Sequence, residues 1–320
     1  MSRVVNGKLG IVFLGTSSFG LPSLRALQDD GHVILSVVTQ PDRPRGRGRK
    51  PSPTSLGEAA SSQGLPLLRP EKIRDIKADL ERLSPDVLVV AAYGQFLPTS
   101  IIRTPRLAAL NIHASLLPRY RGAAPIQWAI VNGETETGIT IFRIVKKMDA
   151  GPILATRRTA IDEMETAGEL EERLASMGAE LMVETLSDLP AALVKERPQD
   201  ESAITYAPRL QREDGHLSFD RPAKQILDRV RGLSPRPGAY GDLVRPGIEP
   251  ERLRVLEANP EVPGTDDPPG LVILADGNGI LVAATDGAVR ITMVQAAGGR
   301  SMSAAAYLRG HPVARGARFV

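Results

Sequence analysis

The sequence predicts an α/β protein with a Rossmann-like parallel sheet, helices on both faces of it, and a C-terminal OB-like β-barrel domain. Through the first half of the 320-residue chain, short apolar runs alternate with helical segments, which is the βαβ rhythm of a parallel sheet. The strand-like runs are apolar at successive positions, as strands buried on both faces are. After residue 209 the runs are short and joined by Asp-Gly turns, which is typical of a small antiparallel barrel.

The elements of the first domain follow from periodicity and from breaking residues. Leu21, Leu24 and Leu27 share one face of a predicted helix, and Thr166 with Glu169 forms a capping box before another. Strands are predicted at residues 9–15, 32–39, 65–68, 86–92, 107–113, 138–145 and 153–159. Helices are predicted at residues 20–30, in a segment ending at 64, and at 71–82 and 166–189.

The second half predicts a separate domain. Residues 195–202, KERPQDES, are polar and contain proline, as linkers between domains often do. A helix is predicted at 222–232, with strands at 253–258, 271–274, 279–283 and 288–294. We therefore expect a first domain at 1–195, a linker at 196–208 and the barrel domain at 209–320.

Composition excludes several kinds of chemistry. The chain has no cysteine, which rules out a thiol nucleophile, a thiolate zinc site and an iron-sulfur cluster. Its four histidines are widely scattered, so we expect no metal. No run of eighteen apolar residues occurs and the first residues lack the apolar region of a secretory signal, so we expect a cytoplasmic protein without a membrane partner. We also expect a monomer.

The first strand does not end in a dinucleotide fingerprint. It is followed by GTSSFG, in which Gly15 and Gly20 do not complete the G-x-G-x-x-G pattern. A nicotinamide cofactor is therefore not expected. The two glycines fit a tight turn and a helix entry better than a phosphate site.

Three polar residues form the one constellation with complementary roles. Asn111 and His113 are alternate residues at the end of a predicted strand, so they project from the same face. Asp149 lies in a turn, KKMDAGP, between two later strands. An amide can donate to an oxyanion, an imidazole can relay a proton, and a carboxylate can fix its tautomer. This set serves acyl transfer to a nucleophile that the substrate brings.

Two other interpretations of this stretch stay open. Ser115 beside His113 could be the nucleophile of a hydrolase, although the G-x-S-x-G elbow is absent and Ser115 stands in a Leu-Leu-Pro turn. Asn111 and His113 could also be polar groups that merely satisfy a strand end.

A second feature is the basic loop PDRPRGRGRKPSPT, residues 41–54. Its proline and glycine residues exclude a helix, so it is predicted to extend from the carboxyl edge of the sheet. Such a loop suits the phosphate backbone of a nucleic acid, and the alternative is a solvated loop without a partner. Its cations are Arg43, Arg45, Arg47, Arg49 and Lys50.

Motifs along nearly the whole chain resemble the methionyl-tRNA formyltransferases. They are LGTSSFGLPSL, the basic loop, VVAAYGQFLP, NIHASLLPRYRGAAPIQWAI, MDAGPIL, YAPRLQREDG and VRGLSPRPGAY. The SLLP-x-YRG core is specific for enzymes that use 10-formyltetrahydrofolate. The basic loop and the C-terminal region favour this family over sugar formyltransferases and glycinamide ribonucleotide formyltransferase.

The resemblance implies roles for individual residues. Asn111, His113 and Asp149 would be catalytic, the basic loop would meet the acceptor end of the initiator methionyl-tRNA, and the barrel would bind the stem of the tRNA. One departure is Pro152, where relatives often carry Asp after the glycine of D-x-G-D; it bears on the turn that aims Asp149. Folate would be bound in part by Ser115, Leu116, Leu117 and Pro118.

The predicted reaction is formyl transfer from 10-formyltetrahydrofolate to the free α-amine of methionyl-initiator tRNA, without a metal. One alternative is a formyltransferase that acts on a small amine, such as an amino sugar of a nucleotide. Another is an inactive tRNA-binding homologue.

Overall fold

The computed structural model describes residues 8–45, 50–261 and 266–320 of the chain. It divides into two compact units, each assembled from three segments of sequence. Unit 1 comprises residues up to Pro125, Glu136–Ala160 and Glu171–Pro208. Unit 2 comprises Ile126–Thr135, Ile161–Leu170 and Arg209–Val320.

Unit 1 is built on a sheet with the strand order β10-β9-β7-β6-β1-β2-β5. Its strands are β1 Gly10–Gly15, β2 Val33–Val38, β5 Leu67–Leu68, β6 Val87–Ala91, β7 Ala108–His113, β9 Glu136–Arg143 and β10 Ile153–Ala160. The pairs from β5 to β7 are parallel, and β9 and β10 pair antiparallel. The parallel strands β1 and β6 are buried at every position, as their continuous apolar runs predict.

Shorter strands and helices complete unit 1. A hairpin is formed by β3 Arg43–Arg45 and β4 Lys50–Ser52, and a parallel pair by β8 Arg121–Gly122 and β11 Tyr206–Ala207. The helices are α1 Leu21–Asp29, α2 Ser55–Ser62, α3 Lys77–Leu83, α4 Thr99–Ile102, α5 Pro125–Val131, α6 Ala167–Ser187 and α7 Leu189–Val194, of which α5 and the start of α6 belong to unit 2.

Helices cover both faces of the sheet. Leu80 of α3 packs in one core cluster with Val12, Leu88 and Ala109. On α6, Gly178 lies so close to Ile112 that an added Cβ would come within 2.8 Å of its side chain. Since Ala109 and Ile112 are on opposite faces of β7, α3 and α6 cover opposite sides.

Unit 2 contains a nearly closed antiparallel barrel. Its strands are β12 Ala239–Arg245, β13 Ile248–Glu261, β14 Val272–Asp276, β15 Gly279–Ala283, β16 Ala288–Ala296, β17 Met302–Ser303 and β18 Arg318–Phe319. They follow the order β14-β15-β16-β13-β12-β18, with β17 on β16. Val272 N donates to Ala317 O at 2.8 Å, and Phe319 N to Gly270 O at 2.8 Å, which joins the two ends of this order.

Helices α8 Ala223–Gly232 and α9 Ala304–Gly310 pack on the barrel and contribute Ile226, Val230 and Tyr307 to its core. Earlier segments of the chain also belong here. Val131 of α5 packs against the barrel core. Arg231 of α8 donates to the carbonyls of Asp162 and Glu165 at 3.0 and 3.1 Å.

The structure confirms the predicted fold class and corrects some of its elements. The single helix predicted at 166–189 is two, because Asp188 interrupts it and caps α7 by accepting from Ala191 N. The capping box is present, with Thr166 N on Glu169 Oε2 at 2.8 Å and Glu169 N on Thr166 Oγ1 at 3.3 Å. In the described ranges, no helix is long and apolar enough to cross a membrane.

Candidate active site

The end of β7 presents Asn111 and His113 on one face of the unit 1 sheet. Asn111 pairs with Val90 of β6 and Phe142 of β9, and His113 pairs with Thr140 of β9. Asn111 is half-buried, and its side chain makes no hydrogen bond within the described residues, so its amide is available as a donor. His113 is 6% exposed. Asn111 and His113 are alternate residues of this strand, so they share one face, as their spacing predicts.

A backbone carbonyl holds the imidazole of His113. Its Nε2 lies 2.9 Å from Tyr120 O. A carbonyl oxygen can only accept, so Nε2 carries a proton, and in the neutral ring the lone pair is therefore on Nδ1. Tyr120 has a left-handed backbone (φ 59°), and its N–H donates to Thr205 Oγ1 at 2.8 Å. This unusual conformation turns the carbonyl toward the histidine.

Hydrogen bonds of Thr140 and Ser115 stabilise the turn after β7. Thr140 Oγ1 donates to Ser115 O at 2.6 Å and accepts from Leu117 N at 3.1 Å. Ser115 is fully buried, and its hydroxyl donates to Arg119 O at 2.7 Å. A hydroxyl committed to this carbonyl is not placed to act as a nucleophile, so the arrangement disfavours the hydrolase interpretation.

The residues predicted to meet folate differ in exposure. Leu117 is buried in a small cluster with Phe142 and Ile153, whereas Leu116 and Pro118 are half-buried. The side chains of Leu116 and Pro118 are thus accessible to a ligand, whereas the buried Ser115 and Leu117 stabilise the turn. Their contact with folate stays a prediction.

Asp149 reaches the same turn from the loop between β9 and β10. Its Oδ2 accepts the backbone N–H of Gly122 at 2.8 Å, and its backbone is left-handed with φ 48°. The sequence predicts that the carboxylate of Asp149 pairs with the imidazole of His113. In this structure the two side chains instead contact the same turn: the imidazole of His113 bonds to Tyr120 O, and the carboxylate of Asp149 accepts from Gly122 N. Pro152 leaves this contact of Asp149 in place.

Gly122 is required at this position by space and by backbone conformation. Its φ is +130°, and an added Cβ would lie 2.4 Å from the carbonyl oxygen of Ala207 on β11. The pairing of β8 with β11 therefore depends on a residue without a side chain.

A buried guanidinium lies behind this turn. Arg121 is 1% exposed, and its Nε and Nη2 donate to Gln199 Oε1 at 3.0 and 2.6 Å. The amide nitrogen of Gln199 donates in turn to Asp149 O at 2.8 Å and Gly151 O at 2.7 Å. The sequence pattern predicts neither residue as part of the site. Arg121 is one residue of the YRG motif, and Gln199 lies in the stretch that predicts a linker.

Three of the predicted tRNA-binding residues, Arg43, Arg45 and Lys50, lie on the β3–β4 hairpin. Arg43 is exposed at its start, and the backbones of Arg45 and Lys50 pair across the two strands. Arg47 and Arg49 lie outside the described residues. The predicted extended, non-helical loop is confirmed for the part that the structure describes.

Two further features bear on the site. A cavity of about 620 Å³ lies at the amino end of β7, where Ala108, Ala109, Arg103 and Lys146 are among its lining residues; Asn111 and His113 are not. Within the described part of the chain, no group of three or more His, Asp or Glu residues could hold a metal ion.

Comparison with known families finds matches over both units. Residues 9–186 match the formyl transferase family, and residues 209–312 match the formyl transferase C-terminal domain. The chain is 43% identical over 308 residues to a methionyl-tRNA formyltransferase of Pelobacter propionicus, covering 96% of this chain and 94% of the relative. It is 42% identical to the methionyl-tRNA formyltransferase of Pelotomaculum thermopropionicum, covering 96% and 97%.

Solved structures share the fold at much lower identity. HypX from Aquifex aeolicus, in complex with tetrahydrofolic acid, superposes with a TM-score of 0.65 at 19% identity. That alignment covers 94% of this chain and 47% of HypX, so the chain spans about half of HypX. An N-formyltransferase from Helicobacter canadensis, in complex with folinic acid and dTDP-3-aminofucose, gives 0.64 at 16% identity, covering 88% and 99%.

Proposed function

The chain belongs to the formyl transferase family, and from this premise we propose that it formylates methionyl-initiator tRNA, with 10-formyltetrahydrofolate as the formyl donor. The observation that carries the proposal is identity to methionyl-tRNA formyltransferases over nearly the entire length of both chains. HypX and the N-formyltransferase from Helicobacter canadensis share the fold at less than half that identity. The product is N-formylmethionyl-tRNA, used in translation initiation, and the proposed location of the enzyme is the cytoplasm.

The proposed chemistry is direct transfer between two bound substrates. The uncharged α-amine of the methionyl group attacks the formyl carbon, and a new C–N bond forms as the carbonyl oxygen gains charge. The bond from that carbon to N10 of the folate then breaks. The amine loses one proton and N10 gains one, so no external reductant or oxidant is needed. Holding the two substrates together supplies much of the acceleration.

Asn111 and His113 are proposed to act on the charge and the proton. The free amide of Asn111 donates to the developing oxyanion. His113 keeps its Nε2 proton on Tyr120 O, so its Nδ1 is the atom with a lone pair for the proton leaving the amine. Asp149 is proposed to hold the turn that presents Tyr120 O, through its contact with Gly122 N.

The substrates are proposed to approach from the same edge. Ser115, Leu116, Leu117 and Pro118 form part of the wall for folate. The basic loop, with Arg43, Arg45, Arg47, Arg49 and Lys50, meets the phosphates near the acceptor end of the tRNA. The barrel of unit 2 contacts the stem of the tRNA, and the enzyme works as a monomer without a metal.

The test is formylation of methionyl-tRNA by the purified chain. Wild type is expected to transfer the formyl group of 10-formyltetrahydrofolate to initiator methionyl-tRNA in preference to an amino sugar of a nucleotide. Asn111→Ala and His113→Ala should each lower kcat about 10²- to 10³-fold, the cost of a lost oxyanion donor or general base, while tRNA affinity stays close to wild type.

The matched control is Gln63→Ala, since Gln63 is exposed at the end of α2. Formylation of the amino sugar but not of the tRNA would replace the proposed acceptor. Normal turnover in both active-site variants would remove Asn111 and His113 from the mechanism, and a wild type that binds tRNA without formylating it would favour the inactive homologue.

A further inference from the structure

The side chain of Gln199 makes every hydrogen bond that a carboxamide can make. Its oxygen accepts from Nε and Nη2 of Arg121, and its nitrogen donates to the carbonyls of Asp149 and Gly151, at distances between 2.6 and 3.0 Å. A carboxamide has two donor hydrogens and two acceptor lone pairs, and all are used here. Such a group has one orientation and ties together the two loops that it touches.

The choice of partner for Arg121 is unusual. A buried cation normally pairs with a carboxylate, because desolvating an unpaired charge is costly. Arg121 is 1% exposed, its hydrogen-bonding partner is a neutral amide, and its Nη1 has no partner within the described residues. A carboxylate at position 199 would suit the guanidinium better but would have no hydrogens for the two carbonyls. Position 199 therefore bridges the loops, and the nearby opposite charge is that of the exposed Glu201, whose pKa is lowered chiefly by Lys147 and in smaller part by Arg121.

The two loops so joined carry the strained parts of the site. Tyr120 and Asp149 both have left-handed backbones, with φ values of 59° and 48°, which cost non-glycine residues free energy and persist only where neighbours hold them. Tyr120 O holds His113, and Gly122 N holds the carboxylate of Asp149. Arg121 is the residue between these two contacts, so its side chain anchors the turn at the centre.

We propose that Arg121 and Gln199 are positioning residues that hold the loops at 120–122 and 149–151 in register, fixing the Nε2–H tautomer of His113 and the aim of Asp149. They touch neither substrate and act through backbone atoms. The consequence for turnover rests on the proposed function, whereas the consequence for the tautomer does not.

The decisive variant is Gln199→Glu, which keeps both acceptor contacts with Arg121 and removes both donor contacts with the carbonyls. Arg121→Lys is the second variant, since it keeps the charge and breaks the two-pronged contact with Gln199. Gln63→Glu is the control, because it makes the same chemical change at the exposed end of α2.

The kinetic measurement separates positioning from folding and binding. Gln199→Glu and Arg121→Lys should lower kcat about 10- to 100-fold, as small misplacements of reacting groups do, with the KM of both substrates unchanged. Gln63→Glu should match wild type. Wild-type kcat in both variants, or a rise in KM with kcat unchanged, would overturn the proposal.

A spectroscopic measurement decides the structural part independently. The chain has four histidines, so ¹⁵N-histidine labelling gives four imidazole patterns, and the pattern lost in His113→Gln identifies His113. Wild type should show the Nε2–H tautomer, and Gln199→Glu a population of Nδ1–H or imidazolium. An unchanged His113 pattern in a folded Gln199→Glu protein would overturn the proposal, even if wild type proves inactive as a formyltransferase and the function must be revised.

Discussion

His113 commits its Nε2 proton to a main-chain oxygen. The Tyr120 carbonyl fixes the orientation of the ring and, in its neutral form, the tautomer. The alternation of Asn111, Ile112 and His113 was enough to predict that the polar pair shares a face. It could not predict Tyr120 O as the partner, because that contact depends on a left-handed residue whose sequence carries no signal for φ.

A second histidine, His32, should make folding depend on pH. It is buried, its Nδ1 accepts the N–H of Leu9 at 3.1 Å, and its Nε2 lies 3.3 Å from Asp30 without hydrogen-bond geometry. Burial lowers the pKa of His32 below 6.5, and the nearby Asp30 carboxylate raises it by less. The folded state therefore favours the neutral ring, and the unfolded state binds the proton first as the pH falls.

The free energy of unfolding should thus decrease as the pH falls through about 6.5, and this contribution should be complete above that value. Urea unfolding at several pH values measures it. The dependence should be weaker in His32→Gln and unchanged in His311→Gln, because His311 is exposed. An equal pH dependence in wild type and His32→Gln would contradict the assignment.

Among the elements, the loops contribute residues to the candidate site that their composition does not predict. Gln199 lies in a polar, proline-containing stretch that reads as a linker, yet its side chain is one of the most fully bonded in unit 1. Strand β12 was missed because AYGDLVR mixes glycine and charge with apolar residues, although its burial alternates regularly. Strands with long apolar runs, such as β1 and β6, were predicted because the pattern and the tertiary environment agree.

The basic loop, residues 41–54, should contribute to tRNA binding through phosphate contacts. Replacing Arg43, Arg45 and Arg47 with Gln should weaken tRNA binding and flatten the plot of log K against log salt by about 2 units, since each phosphate contact releases bound counterion. Titrations of methionyl-tRNA at several salt concentrations measure the slope.

The matched control removes the same charge from helical surfaces of unit 1, with Arg25→Gln, Arg74→Gln and Arg82→Gln, all exposed. Equal slopes for the two triple variants would show that net charge, rather than the basic loop, sets the salt dependence. An unchanged slope in the variant of the basic loop would make it a solvated loop without a role in tRNA binding.

At the scale of the whole molecule, the order of the strands in the sheet could not be predicted from the sequence. The βαβ rhythm predicted the parallel strands, but nothing in residues 136–160 shows that β9 returns antiparallel beside β7 and so carries Thr140 to the turn. The division into units was also not readable from periodicity, because short segments within the first 170 residues pack with the barrel. The domain boundaries expected at 195 and 208 stay a prediction.

This division predicts that an isolated 209–320 fragment will be less stable than unit 2 within the full chain. The fragment lacks Val131 against the barrel core and the carbonyls of Asp162 and Glu165 that accept from Arg231. In the fragment, Arg231 loses two hydrogen bonds and apolar surface of the barrel becomes exposed. Each loss should lower the free energy of unfolding by about 1–3 kcal/mol.

Urea unfolding provides the measurement. The one tryptophan, Trp128, belongs to unit 2, so its fluorescence in the full chain should report the transition of the barrel. Circular dichroism of the fragment should show a lower midpoint than that transition. Equal midpoints would mean that the segments at 126–135 and 161–170 add nothing to the barrel.

The interleaving of the two units also limits how this architecture can be recombined. A single crossover in the gene near codon 208 would deliver a barrel without the helix that carries Trp128 and without the backbone that receives Arg231. A chimera that exchanges the barrel intact needs compatible sequence at 126–135 and 161–170 as well. Unit 2 is therefore encoded as three separate segments, two of them inside the part of the gene that encodes the candidate active site.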